Sequence, residues 1–138
     1  MENQPYLFLG FHLEKINFQK NQIEDLQEIR ISISSYGYDE EECVFSLSIV
    51  IELDYENSKN NEFHYIAGYK IQDEETMEDI KRDKNINDYI SVFVSFVIPF
   101  IRSNITSITI DSGTAVVLPI INCRTITLDK TIVLSVDK

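Results

Sequence analysis

The chain has 138 residues, 43% of them hydrophobic, with 23 acidic residues against 12 basic and a formal net charge of −11. That length suits a single domain with a real core, and that hydrophobic fraction excludes a disordered chain. The charge argues against nucleic acid and anionic membranes, whose phosphates would be repelled, and leaves a basic partner or plain solubility.

The opening "MENQPYLFLGFHLEK" lacks the basic start and small-residue cleavage site of a secretory signal, so a cytoplasmic location is expected. "YLFLGFHLEKINF" predicts a first strand. In it Leu7, Leu9, Phe11 and Leu13 alternate with Phe8, Gly10 and His12, and Gly10 marks a break. "NQIEDL" is a short polar connection. "EIRISISSY" places Ile29, Ile31 and Ile33 on one face and Arg30, Ser32 and Ser34 on the other, which is the period of a half-buried strand. "GYDEEE" predicts an acidic turn. "CVFSLSIVIELDY" alternates again, with Phe45, Leu47, Ile49, Ile51, Leu53 and Tyr55 on one face. "ENSKNNE" predicts a hairpin turn, and "FHYIAGYKI" a fourth strand. The short connections predict an antiparallel meander with one apolar face to be covered.

In "DEETMEDIKRDKN", Thr76 followed by Asp79 resembles a capping box and predicts a short exposed helix. The next stretch, "NDYISVFVSFVIPFIRSNITSITIDSG", has strand-forming residue types but helical spacing. Its small and polar residues, Asp88, Ser91, Ser95, Pro99, Arg102, Thr106 and Thr109, recur every three or four positions. A helix of roughly 24 residues, about 36 Å long, is expected, kinked at Pro99 and stopped at Gly113. Its most apolar window, Tyr89 to Ile101, is shorter than the ~20 residues of a membrane span, so no membrane insertion is expected. The helix is apolar over more than the roughly 100° that covering a sheet requires. A second interface is therefore expected on it, with Ser91, Val92, Ser95, Phe96, Arg102 and Thr106 meeting another copy of the chain. "AVVLPIINCRTI" follows, and "TLDKTIVLSVDK" predicts a last strand.

Chemistry is sparse. His12 and His64 sit in strand-like alternation, where a structural role is the expectation. Cys43 and Cys123 are expected to be free thiols, and neither has the basic neighbours of a reactive thiolate. There is no CxxC or HxxxH pair, no phosphate loop and no GxSxG, and the acidic runs resemble a solvated surface. Neither an enzyme nor a cofactor- or metal-dependent protein is expected.

Four strands, a long helix and an L-P-x-x-N segment together resemble the SecB family of export chaperones. "FHLEKINFQ" is similar to the family's first strand and "EFHYIAGYKI" to its fourth. "FVIPFIRSNITSITIDSGTAVVLPIIN" is similar to its signature, with Pro99, Arg102, Gly113, Leu118, Pro119 and Asn122 in the family's order. The resemblance implies an α+β fold, a four-stranded antiparallel sheet with a long helix on one face, here with an extra C-terminal strand. It also implies dimers that pair into tetramers through the helices. The implied activity is ATP-independent holding of non-native polypeptide in an apolar groove. The groove residues it points to here are Ile23 and Leu26 after the first strand, and Val116, Val117, Leu118, Ile120 and Ile121 after the helix. The basic metal-binding tail that engages SecA in export members is absent, which argues against that contact. A dedicated client, such as the antitoxin of a toxin–antitoxin pair, fits a tail-less member. The competing expectation is an acidic interaction or inhibitor protein on the same scaffold, binding one folded basic partner.

Overall fold

A computed structural model describes residues 5–18, 25–56, 61–110, 115–128 and 130–135. Its elements are β1 (Tyr6–Asn17), β2 (Leu26–Asp39), β3 (Val44–Tyr55), β4 (Asn61–Ile71), α1 (Glu74–Lys81), α2 (Ile86–Ile110) and β5 (Ile132–Ser135), with one 3-10 turn at Cys123–Thr125. The protein is α+β: an open five-stranded antiparallel sheet in the order β1-β4-β3-β2-β5, with one long helix.

The order corrects the predicted meander. Only β2, β3 and β4 follow one another in space, and β1 lies beside β4. The end of β1 and the start of β2 are therefore three strand spacings apart, about 15 Å. The C-terminal strand forms as expected and pairs Ile132 with Ile31 and Ser135 with Glu28.

The core lies between the sheet's inner face and α2. Phe45, Leu47, Ile49, Ile51, Leu53 and Tyr55 of β3 are all buried, as the period-two reading expected, and so are Ile29, Ile31 and Ile33 of β2. Four irregularities in register break that period elsewhere, two in β1 and two in β2, and two of them re-aim core side chains. One falls between Phe8 and Gly10 of β1, with Gly10 at φ 133, a conformation open to glycine and strained for any other residue. It resets the parity, so that Tyr6, Phe8, Phe11 and Leu13 all pack on the core while Leu7 and Leu9 point out. The predicted grouping of Phe11 with Leu7 and Leu9 is thereby corrected. Another lies between Ile33 and Ser35 and swings Tyr36 and Tyr38 onto the core side, and β2 runs on to Asp39, into the predicted turn.

The cap of α1 is Asp73, whose carboxylate accepts from the Thr76 amide and hydroxyl, both at 3.0 Å. Thr76 is thus the third residue of the helix, receiving the cap, and not the cap itself. The predicted stop of α2 at Gly113 and the hairpin tip at 57–60 lie outside the described residues. Helix α2 spans 25 residues and continues through Pro99, close to the predicted length. At that length it is long and apolar enough to cross a membrane by composition alone, unlike the shorter window read from the sequence. Eight of its side chains, from Ile90 to Thr109, are nevertheless buried in the protein.

Candidate functional site: the α2 surface and the segment that returns across it

Helix α2 has three sides. Ile90, Phe93, Val94, Val97, Ile98, Ile101 and Ile105 are buried in the core. Phe93 stacks on Tyr69 at 4.4 Å and meets Tyr6 edge-on at 5.1 Å. The Tyr69 hydroxyl donates to the Phe93 carbonyl at 2.5 Å, and the Tyr65 hydroxyl donates to Asn104 Oδ1 at 2.8 Å.

The second side is the stripe of small and polar residues, and it holds the chain's own return segment. Thr106 Oγ1 donates to the Val116 carbonyl at 2.8 Å, and the Val116 amide donates to Thr109 Oγ1 at 2.7 Å. Arg102 donates to the Pro119 carbonyl at 3.0 Å, and Ser91 Oγ to the Ile126 carbonyl at 3.0 Å. At the N-terminal end of α2, Asn87 Oδ1 accepts from the Leu128 amide at 3.0 Å. Ser91, Arg102 and Thr106, expected to face another copy of the chain, are therefore engaged within it. Their hydroxyl and guanidinium groups find main-chain partners in a segment lying against the helix. Asn87 and Thr109 are anchors the sequence reading did not single out as such. Thr109 stood in the polar stripe, whereas nothing in the local pattern marked Asn87.

The third side faces outward between that segment and β1. It carries Val92, Ser95, Phe96, Pro99, Phe100 and Ile110, all exposed. Phe96 lies 5.9 Å from the Tyr6 ring, and Phe100 5.6 Å from Phe8 and 5.9 Å from Phe11. Of the expected interface residues, Val92, Ser95 and Phe96 remain on this open side.

The expected groove residues divide by depth. Val116 and Leu118 are core residues, only 5% and 2% exposed, while Val117 is 66% exposed and Ile120 93%. Ile121 is half-buried against the core, as is Leu26 at the start of β2. Ile23 lies outside the described residues. Alternation explains the split, since an extended backbone sends successive side chains to opposite sides. Beside the segment, Ser91, Val92, Ser95, Asn122, Cys123 and Arg124 line an open cleft of about 190 Å³. Burial pushes the Cys123 thiol pKa up, against a smaller opposing effect of Arg102, which disfavours the thiolate.

The sheet's other face is charged. Arg30 lies 3.1 Å from Glu28 and 3.6 Å from Glu52, and pairs with the buried Asp54. His64 lies 2.9 Å from Glu62, and Glu62 stands opposite Glu52 in register. Among the described residues, no group of three or more His, Cys, Asp or Glu side chains is placed to hold a metal ion. No model of a known protein family matches this chain, and no curated protein matches it.

Proposed function

We propose that the protein is an ATP-independent holdase of the SecB type, binding non-native polypeptide across α2 and the segment that follows it. One observation carries this reading. Val117 and Ile120 stand in solvent on a segment pinned from beneath, beside the exposed Val92, Phe96 and Phe100 of the helix. Aliphatic and aromatic groups held in water without a specific polar constellation suit a ligand recognised by apolar side chains and not by residue-specific hydrogen bonds. The order of four strands, long helix and L-P-x-x-N segment supports the same reading. SecA plays no part in the proposal.

The purified protein is expected to suppress aggregation of a denatured model client without ATP, and no suppression at several-fold excess would sink the proposal. The double variant Val117→Ser, Ile120→Ser is expected to lose most of that suppression. Because both side chains are exposed, its unfolding free energy should stay within about 0.5 kcal/mol of the parent. Equal suppression by parent and variant would move the client surface elsewhere.

The outer side of α2 also supports self-association into dimers or tetramers, since Phe96 and Phe100 are about half exposed in the single chain. Light scattering is expected to give a dimer or tetramer, and Phe96→Glu a monomer. A monomeric parent would remove the oligomer from the proposal. A second reading, an acidic interaction protein with one basic partner, draws on the carboxylates around Arg30. Strongly salt-dependent one-to-one binding to a folded partner would favour it.

A further inference from the structure

We propose that residues 115–121 form a displaceable strap: an occupant of the α2 polar stripe that an extended aliphatic segment of another chain replaces. The inference rests on the holdase reading for its ligand and adds to it how the site is closed.

Three observations on the seat support exchange. First, the helix grips the strap by its main chain. Arg102 and Thr106 donate to the carbonyls of Pro119 and Val116, and Thr109 accepts the Val116 amide. Every polypeptide carries these main-chain groups, so the grip does not depend on sequence. Second, among the described residues no backbone-to-backbone hydrogen bond ties 115–121 to helix or sheet. The strap is held by those three contacts and by the burial of Val116 and Leu118, with Ile121 half-buried. Third, Arg102 keeps its Nε–H buried without a hydrogen-bond acceptor. A buried donor left unmatched is unusual, and a carbonyl offered by a chain in a slightly different register would satisfy it.

The strap is also tethered at both ends. It follows α2 in the chain on one side and precedes β5, paired to β2 from Glu28 to Ile31, on the other. It can therefore lift and return while the sheet stays intact. Its chemistry defines the ligand: an extended stretch with β-branched or leucine side chains at alternate positions, and open main-chain carbonyls between them.

The test uses the full chain and a labelled peptide of residues 115–126 carrying Cys123→Ser, with binding read by fluorescence anisotropy. A ligand's apparent affinity falls with the fraction of molecules whose seat is open, so Leu118→Ser in the protein should raise peptide affinity by about tenfold or more. Leu7→Ser, which alters an exposed side chain on the outer face of β1, should leave it unchanged. Arg102→Ala added to Leu118→Ser should reverse most of the gain. A folded Leu118→Ser protein that binds the peptide no better than the parent overturns the strap. If that variant does not fold, Val116→Ala is read in its place. Failure of both to fold makes the segment fixed core and overturns the proposal equally. A chain that suppresses aggregation yet never takes the peptide loses the strap alone. One that takes the peptide and suppresses nothing loses the holdase reading alone.

Discussion

Replacing Phe93 by alanine is expected to lower the unfolding free energy by about 3–5 kcal/mol, a large share of the 5–15 kcal/mol typical of a domain. Phe93 is fully buried and sits where α2 meets the sheet. Its ring stacks on Tyr69 at 4.4 Å and touches Phe45 and Tyr6, each at 5.1 Å. The variant loses the transfer energy of the ring, leaves a cavity beneath the helix, and strips four aromatic neighbours, Tyr89 among them, of a partner. The hydrogen bond from Tyr69 to the Phe93 carbonyl survives, because it uses the main chain. Phe93→Leu fills part of the cavity and should recover more than half of the loss. Urea unfolding monitored by circular dichroism measures both variants. A loss below about 1.5 kcal/mol for Phe93→Ala, the range of a tolerated repacking, would show that the helix–sheet seam does not depend on this ring.

The parts of the fold legible in the sequence were those whose period is unbroken. β3 alternates without interruption from Val44 to Tyr55, and its inward face was read residue by residue. The helical spacing of Ser91, Ser95, Arg102 and Thr106 overrode strand-like residue types, and α2 formed at close to the expected length. β1 and β2 were harder because each contains two register shifts, and past a shift an alternating count assigns side chains to the wrong face. Gly10 hinted at the first shift. Ser34 and Ser35 gave no comparable signal for the second. The place of β1 beside β4 was hidden for another reason: the length of a link bounds where a strand can go, and does not choose its neighbour.

The candidate site was legible in composition and not in geometry. A stripe of small polar residues on an apolar helix says that something packs closely there. It does not say whether that is another protomer or the same chain. The segment after α2 provides the answer through its main-chain carbonyls, and these leave no trace in a sequence because every residue carries one. The apolar run Val116 to Ile121 was likewise read as one surface, whereas its extended backbone divides it into buried Val116 and Leu118 and exposed Val117 and Ile120. What the sequence offered as a single groove is in the structure two buried and two exposed side chains on a segment lying against the helix.

The protein is expected to hold its stability through neutral pH and to lose it steeply above pH ~10. Tyr65 and Tyr69 are fully buried, and burial raises both phenol pKa values above the ordinary 10.0. Each also donates its hydroxyl proton, to Asn104 and to the Phe93 carbonyl respectively, so the folded state needs both groups neutral. An acid whose folded pKa is raised keeps its proton in the native state after the unfolded chain has released it. The stabilisation is thus complete below the unfolded value and is lost as pH rises toward the folded one. Between those limits each phenol contributes a slope of about 1.4 kcal/mol per pH unit, so the pair removes about 2.7 kcal/mol per unit. Tyr36 adds to the fall in the same direction, its pKa pushed up to about 12 first by its hydrogen bond to Asp83 and then by burial. The urea midpoint followed across pH 7–12, together with the ultraviolet absorbance of tyrosinate, measures this. Ionisation should coincide with unfolding and not precede it. Tyr69→Phe should begin from a lower midpoint, having lost the bond to Phe93, and then fall less steeply. A midpoint unchanged to pH 12, or phenols that titrate freely in the folded protein, would place Tyr65 and Tyr69 in contact with water and remove them from the helix–sheet seam that supports the α2 seat.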